Sequence, residues 1–150
     1  KDAFYFAERG RGVTKNGLNI NVSSQSELCN ARMMGDPAAF RSTTYWPNPW
    51  PDTMFSEQAN SIALRICQIA DGQFDCCVTL RPKNDWDVAA ADLIIEEAGG
   101  LLTTGTGNKL VFNRERPLHD HIVASCPELV SPVMERVEPA LAKWQARQAR

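Results

Sequence analysis

The sequence predicts an α/β protein, a mixed sheet with flanking helices, and three stretches carry that prediction. Residues 74–80, Phe-Asp-Cys-Cys-Val-Thr-Leu, are mostly apolar between Gly72 and Arg81-Pro82 and read as a buried strand. Residues 85–98 follow as an alanine- and isoleucine-rich helix closed by Gly99-Gly100, and residues 62–70 ahead of the strand carry a broad apolar helical face. Helix, strand, loop and helix in that order build a sheet with helices packed on it.

Taken from the start, Ala3-Phe4-Tyr5-Phe6-Ala7 is a strand candidate, Arg9 to Gly12 a turn, and Lys15-Asn16-Gly17 a hairpin signal before the alternating Leu18-Asn19-Ile20-Asn21-Val22. Residues 1–25 are therefore assigned to a β-meander and residues 26–150 to an α/β domain. A unit this small is marginal alone. A chain opening at Lys1, inside a strand, is expected of a truncated or processed product. Arg9 and Arg11 sit between glycines in the turn and are read as solvated, with no site assigned. Leu28 to Met34 predicts a short strand. Asp36 to Asp52 is rich in proline and aromatics around Tyr45-Trp46-Pro47-Asn48-Pro49-Trp50-Pro51, a density that excludes helix and central strand. It reads as a long connection pinned over the core by its rings, with an aromatic lid or partner-docking loop as the functional alternative.

Asn60 or Ser61 caps the next helix, whose apolar face is Ile62, Leu64, Ile66, Cys67, Ile69 and Ala70. Gly72 ends it, the 74–80 strand follows, and Arg81-Pro82-Lys83-Asn84-Asp85 is a polar loop delivering the chain to the Trp86-Asp87 helix, with Asp85 or Asn84 as its cap. Asp87 then lies in the first helical turn at the carboxyl end of a strand, where open α/β sheets bind ligands. The helix macrodipole keeps it ionised, which suits a hard cation such as Mg2+. Lys83 can meet a substrate anion across the same mouth.

After Gly100, Leu101-Leu102-Thr103-Thr104 and Lys109-Leu110-Val111-Phe112 predict two strands joined by Gly105-Thr106-Gly107-Asn108. That link lacks the helix and lysine-serine ending of a phosphate loop and reads as a hairpin turn. His119 and His121 have the alternate spacing that can chelate a transition metal, but no third ligand lies nearby, and His121 to Ala124 is read as the last core strand. Ser125 to Glu128 has capping-box spacing. Leu129, Val133, Val137, Leu141 and Trp144 then recur at helical intervals, with Pro132 and Pro139 expected to kink or divide the helix.

A chain of 150 residues can bury one core, and 43% hydrophobic with 23% charged residues is ordinary for a globular domain. The net charge of -2 provides no field to gather nucleic acid or an anionic membrane. No apolar run approaches the roughly 20 residues of a membrane span, and no signal-peptide pattern leads the chain. Cys29, Cys67, Cys76, Cys77 and Cys126 are odd in number and lack C-x-x-C spacing. They are read as reduced core thiols of a cytoplasmic protein, with a redox switch at the adjacent pair as the alternative.

The stretch from Trp86-Asp87 through the alanine run and aliphatic pair to Glu97-Ala98-Gly99-Gly100 resembles the second signature of the inositol monophosphatase family of magnesium-dependent, lithium-sensitive phosphomonoesterases. Asn60-Ser61-Ile62-Ala63 and Ala70-Asp71-Gly72-Gln73-Phe74-Asp75 are similar to its Gly-Ser-x-Ala helix start and Ala-x-Gly-x-x-Asp turn, and Ala7 to Gly12 with Asn16-Gly17 to its hairpin. The resemblance implies a layered α/β sandwich, with the meander completing a sheet of an amino-terminal half. It implies Mg2+ held in part by Asp87, substrate approached by Ser61, and hydrolysis by metal-activated water.

Only the carboxyl-terminal half of such an enzyme is matched. The family's earlier glutamate and Asp-Pro-x-Asp-Gly-Thr loop are absent, and Asp36-Pro37-Ala38-Ala39 and Pro51-Asp52-Thr53 do not fit them. The isolated chain is expected to be inactive, with the amino-terminal half, a small phosphorylated substrate and a second copy as its partners. Asn60 replaces the family glycine, and Val78-Thr79-Leu80 stands where inositol-specific members carry a glutamate. That shifts the implied substrate toward a nucleoside 3',5'-bisphosphate, as in the bisphosphate nucleotidases, or a sugar phosphate. A catalytically inactive α/β binding or regulatory module, using the Trp46 to Trp50 loop for a partner, is the competing reading.

Overall fold

A computed structural model describes residues 2–148; Lys1, where the sequence predicts strand, and residues 149–150 of the predicted carboxyl-terminal domain lie outside the described residues. The chain opens with a three-stranded antiparallel meander of β1 (Tyr5–Glu8), β2 (Gly12–Lys15) and β3 (Leu18–Asn19). Asn16 and Gly17 both take positive φ at the second turn, which the Asn-Gly pair allows. A single 3-10 turn at Leu28–Asn30 leads to β4 (Arg32–Met34), α1 (Pro37–Phe40) and β5 (Phe55–Glu57). Next come α2 (Ile62–Ala70), β6 (Cys76–Thr79), β7 (Lys83–Asn84) and α3 (Asp85–Glu97). The chain ends through β8 (Leu101–Thr104), β9 (Leu118–His119), β10 (Ile122–Ser125) and α4 (Val130–Gln148).

The main sheet has the order β5-β4-β6-β10-β8 and is mixed. β4 runs parallel to β5 and β6, whereas β10 runs antiparallel to β6 and β8. Every residue of β6 and β10 is buried, because the sheet is covered on both faces. The two-residue period of a strand sorts neighbours to opposite sides. Met33, Cys76 and Val123 join α4 and the aromatic loop on one face, while Met34, Cys77 and Ala124 join α2 and α3 on the other. The meander lies outside α2 and α3, and Val13 and Ala7 pack onto their layer. The layered α/β architecture is therefore the one the sequence predicts.

Opposite sorting also answers the adjacent cysteines. Cys76 and Cys77 face different cores and all five cysteines are free, so the pair does not form a switch in this fold. Burial pushes the Cys77 thiol up to about 11, only partly offset by the nearby Arg65 cation, and raises Cys76 well above the ordinary range.

The proline-rich segment folds over the core. Trp46 and Trp50 are 4% and 5% exposed and pack with Phe40 in edge-to-face and stacked contacts, and the Trp46 indole donates to the Ala39 carbonyl at 2.8 Å. Buried rings cannot serve as a free docking loop. One turn of helix does form in this segment, contrary to the exclusion read from its prolines: Pro37 occupies a first-turn position, where its missing N–H is not needed, and Asp36 caps it by accepting from Ala38 N–H at 2.9 Å.

Four further expectations need correction. Lys83–Asn84 is not plain loop but pairs with Leu118–His119. Lys109 to Phe112 is not a strand: one bridge, Thr103 to Lys109, is all that forms, and Leu110 and Phe112 turn into the α2–α3 core instead. Ser125 does not cap a helix, because its hydroxyl donates to the Cys126 carbonyl and Cys126 precedes a short 3-10 turn. Pro132 and Pro139 do not divide α4. Pro132 lies in the first turn, where no intrahelical donor is required, and the Glu135 carbonyl that Pro139 leaves without its donor accepts from the Asn48 side chain at 2.8 Å.

Candidate functional site

Two helices begin side by side at the carboxyl ends of parallel strands: α2 follows β5, and α3 follows β6. This edge of a sheet exposes helix N-termini to a ligand. A cavity of about 440 Å3 opens there, and Asn60, Ser61, Lys83, Trp86 and Asp87 are among its lining residues. The fold thus brings together Ser61, Lys83 and Asp87, which the sequence singled out separately.

Each is positioned by local chemistry. Ser61 caps α2, its Oγ accepting from Leu64 N–H at 3.2 Å, so the hydroxyl proton stays available. Asp87 is at the third position of α3, where its Oδ2 accepts from the backbone and side-chain N–H groups of Asn84 at 2.9 and 3.3 Å. Asn84 is therefore the cap, and among the described residues Oδ1 of Asp87 has no hydrogen-bond donor. Lys83 is half-buried and its Nζ donates to the carbonyls of Arg81 and Pro82 at 3.2 and 3.1 Å. Burial, with Arg65 close by, pulls its ammonium below the usual lysine range, and Asp87 opposes that shift. Trp86 stands 73% exposed beside them.

Asp85 has a different task. Its Oδ1 lies 2.8 Å from His119 Nε2 and its Oδ2 accepts from Asn113 N–H at 2.7 Å, so it ties the 113–119 segment to the start of α3. His121 turns away, with Nδ1 against the Leu80 carbonyl and its ring edge-on to Trp144. The two histidines therefore do not converge. Among the described residues no group of three His, Cys, Asp or Glu side chains could hold a metal ion. Asp87 Oδ1, without a donor among the described residues, is an oxygen of the kind hard cations take.

A larger cavity of about 730 Å3 adjoins the first through Asn60, Ile62 and Lys83. Its lining includes Tyr45, Trp46, Arg65 and Arg81. Neither arginine was singled out from the sequence. Arg65 lies one helical turn beyond Ser61 and Arg81 two residues before Lys83, spacings that would have flagged both once those positions were marked.

Among the described residues no helix is long and apolar enough to cross a membrane. The model of the inositol monophosphatase family matches residues 1–137. "Inositol monophosphatase 2" of Solanum lycopersicum is 34% identical over 77% of this chain and 46% of its own length. "Nus factor SuhB" of Pasteurella multocida is 28% identical over 95% of this chain and 53% of its own. The solved structure of an IMPase from Thermotoga maritima superposes with a TM-score of 0.77 at 25% identity, covering 95% of this chain and 54% of that one. The chain spans about half the length of the relatives it matches.

Proposed function

The chain belongs to the inositol monophosphatase family, and we propose that it supplies one wall of a Mg2+-dependent phosphomonoesterase site that hydrolyses a small phosphate ester by metal-activated water. The observation that carries this reading is the shared cavity of Ser61, Lys83 and Asp87 at two helix N-termini. Asp87 offers Oδ1 to the metal while its Oδ2 stays fixed in the capping box. Ser61 points a hydroxyl proton at a phosphoryl oxygen, beside the N–H groups of the α2 start. Lys83 adds positive charge where the phosphoryl group is negative. Bound Mg2+ supplies charge neutralisation and an activated water. One carboxylate does not complete such a site, and the half-length match supports further ligands from an amino-terminal half.

The absence of a carboxylate in Val78-Thr79-Leu80 favours an ester other than an inositol phosphate. Five unpaired cysteines favour a reducing, cytoplasmic setting. A binding or regulatory module without turnover is the second reading, favoured by the name "Nus factor" on the Pasteurella multocida relative.

Assays with Mg2+ and a panel of small phosphate esters separate the two. Residues 1–150 alone are expected to show no turnover, and turnover is expected once they are fused to the amino-terminal half of a family member. In that fusion Asp87→Asn lowers kcat by about 100-fold, roughly 2.7 kcal/mol of transition-state stabilisation. A folded fusion without activity on any ester overturns the phosphatase reading, and robust turnover by residues 1–150 alone overturns the incomplete site.

A further inference from the structure

The start of α3 is gripped by a loop to which the hydrolytic reading gives no task. Asp85, the first residue of the helix, is spent on residues 113–119. Its backbone N–H donates to the Pro117 carbonyl at 3.1 Å, its Oδ2 accepts from Asn113 N–H at 2.7 Å, and its Oδ1 meets His119 Nε2 at 2.8 Å. The His119 and Asp85 side chains are 1% and 14% exposed, so water competes little for the bond between them. Arg114 sets the direction of the ring. Its Nη2 donates to the Leu118 carbonyl at 2.7 Å and faces His119 Nδ1 at 3.5 Å. A guanidinium has donors only, so Nδ1 takes the acceptor role and Nε2 carries the proton that Asp85 accepts. Phe112 packs edge-to-face on the imidazole, with ring centroids 5.3 Å apart.

We infer that His119 is a positioning residue for Asp87, acting through Asp85 and the first turn of α3. The chain of contacts is short. Asn84, which donates to Asp87 Oδ2 from its backbone and its side chain, pairs in register with Leu118, and Asp85 beside it is held by His119. One loop therefore fixes two consecutive residues, the cap of the helix and its first residue, just ahead of Asp87. The two-residue β7–β9 ladder is a short hinge, and the buried His119 bond is a second point of attachment that keeps the first turn from rotating about it. Because Asp87 Oδ2 is tied to the cap, the direction of Oδ1 follows that turn. The inference rests on Asp87 as a metal ligand of the proposed site.

Two amides test it. Gln places its amide nitrogen near the position of imidazole Nε2 and can donate to Asp85, whereas Asn places its own near Nδ1 and falls short. In the fusion to an amino-terminal half, Mn2+ binding is measured by calorimetry without substrate. His119→Asn is expected to weaken it by about fivefold, less than the roughly 10- to 100-fold typical of a group bonded directly to a metal ligand, and His119→Gln to recover most of the loss. In residues 1–150 without metal, amide exchange is expected to quicken across residues 84–88 in His119→Asn, with β6 protected as in the wild type. A residue serving stability alone would lower the melting temperature and leave the Mn2+ affinity of the folded protein unchanged. Arg114 is exposed, so Arg114→Met is the second variant should His119→Asn fail to fold; loss of the group facing Nδ1 is expected to weaken Mn2+ binding by about twofold. Asp87→Asn in the same titration separates this inference from the reading beneath it. If Asp87→Asn weakens Mn2+ binding and the folded His119 or Arg114 variant does not, or if His119→Gln loses as much as His119→Asn, the positioning role is overturned and the metal ligand stands. If Asp87→Asn leaves Mn2+ binding unchanged, the metal reading falls and the positioning role falls with it.

Discussion

Asp75 and Asp87 stand at the two ends of β6 and use their oxygens in opposite ways. Asp75 is 0% exposed and both its oxygens are occupied: Ser23 Oγ and an Arg32 guanidinium nitrogen bind Oδ1 at 2.6 and 2.7 Å, and the Arg32 backbone and Nε bind Oδ2 at 2.7 and 3.1 Å. Asp87 is half-buried at a cavity, with one oxygen held by Asn84 and the other without a donor among the described residues. The first carboxylate is consumed by the fold, and the second is held by the fold and left available. Residue type and burial alone do not separate a structural acid from a candidate ligand. The count of donors at each oxygen does.

The contrast can be broken most directly by stability. Arg32→Ala is expected to lower the unfolding free energy by about 3 kcal/mol, since it leaves the buried Asp75 carboxylate uncompensated, and Asp75→Ala to lower it too, by stripping the acceptor from the Arg32 backbone N–H and the Ser23 hydroxyl. Urea denaturation at neutral pH measures it, and a loss near zero would erase the distinction. The pH dependence sharpens the same point. Burial by itself would raise the Asp75 pKa, but hydrogen bonds from Arg32 and Ser23 outweigh it and hold the carboxyl below the usual carboxylate range. A depressed folded-state pKa stabilises above the unfolded value of about 3.9, and that stabilisation is lost as pH falls through the folded value. The gap between wild type and Arg32→Ala is therefore expected to narrow as urea midpoints are measured below about pH 4.

Smaller effects are expected at the other end of β6. Asp87→Ala removes a capping-box partner and should cost about 1 kcal/mol in the same urea experiment. A cost equal to that at Asp75 would mean that Asp87, too, belongs to the scaffold. Trp86→Ala is expected to change stability by less than about 0.5 kcal/mol, because the ring is 73% exposed.

The comparison also explains what could be read in advance. The β6 strand, the α3 helix and its Gly99 terminus, with φ of 83°, are dictated by neighbours in sequence and were legible from apolar runs and turn residues. Asp87 was legible for the same reason, since its place in a first helical turn is a local fact. The Arg32–Asp75 pair was not, because its members are far apart in sequence and meet only when β4 and β6 pair. Arg65 and Arg81 were missed on similar grounds: a cavity wall assembled from two elements has no linear signature. The strand wrongly expected over Lys109 to Phe112 shows the reverse error, an alternating pattern whose apolar residues were recruited by helices rather than by a neighbouring strand.

The bond from Asn48 to the Glu135 carbonyl links the middle of the chain to its last helix across 87 positions of sequence. Together with Lys143 donating to Thr44, it makes α4 the latch of the segment that carries Tyr45 and Trp46 to the larger cavity. Contacts so distant in sequence carry a loop-closure cost that must be met before they contribute. That wall of the larger cavity is therefore held from outside its own segment, and an alteration in α4 that removes either bond loosens it.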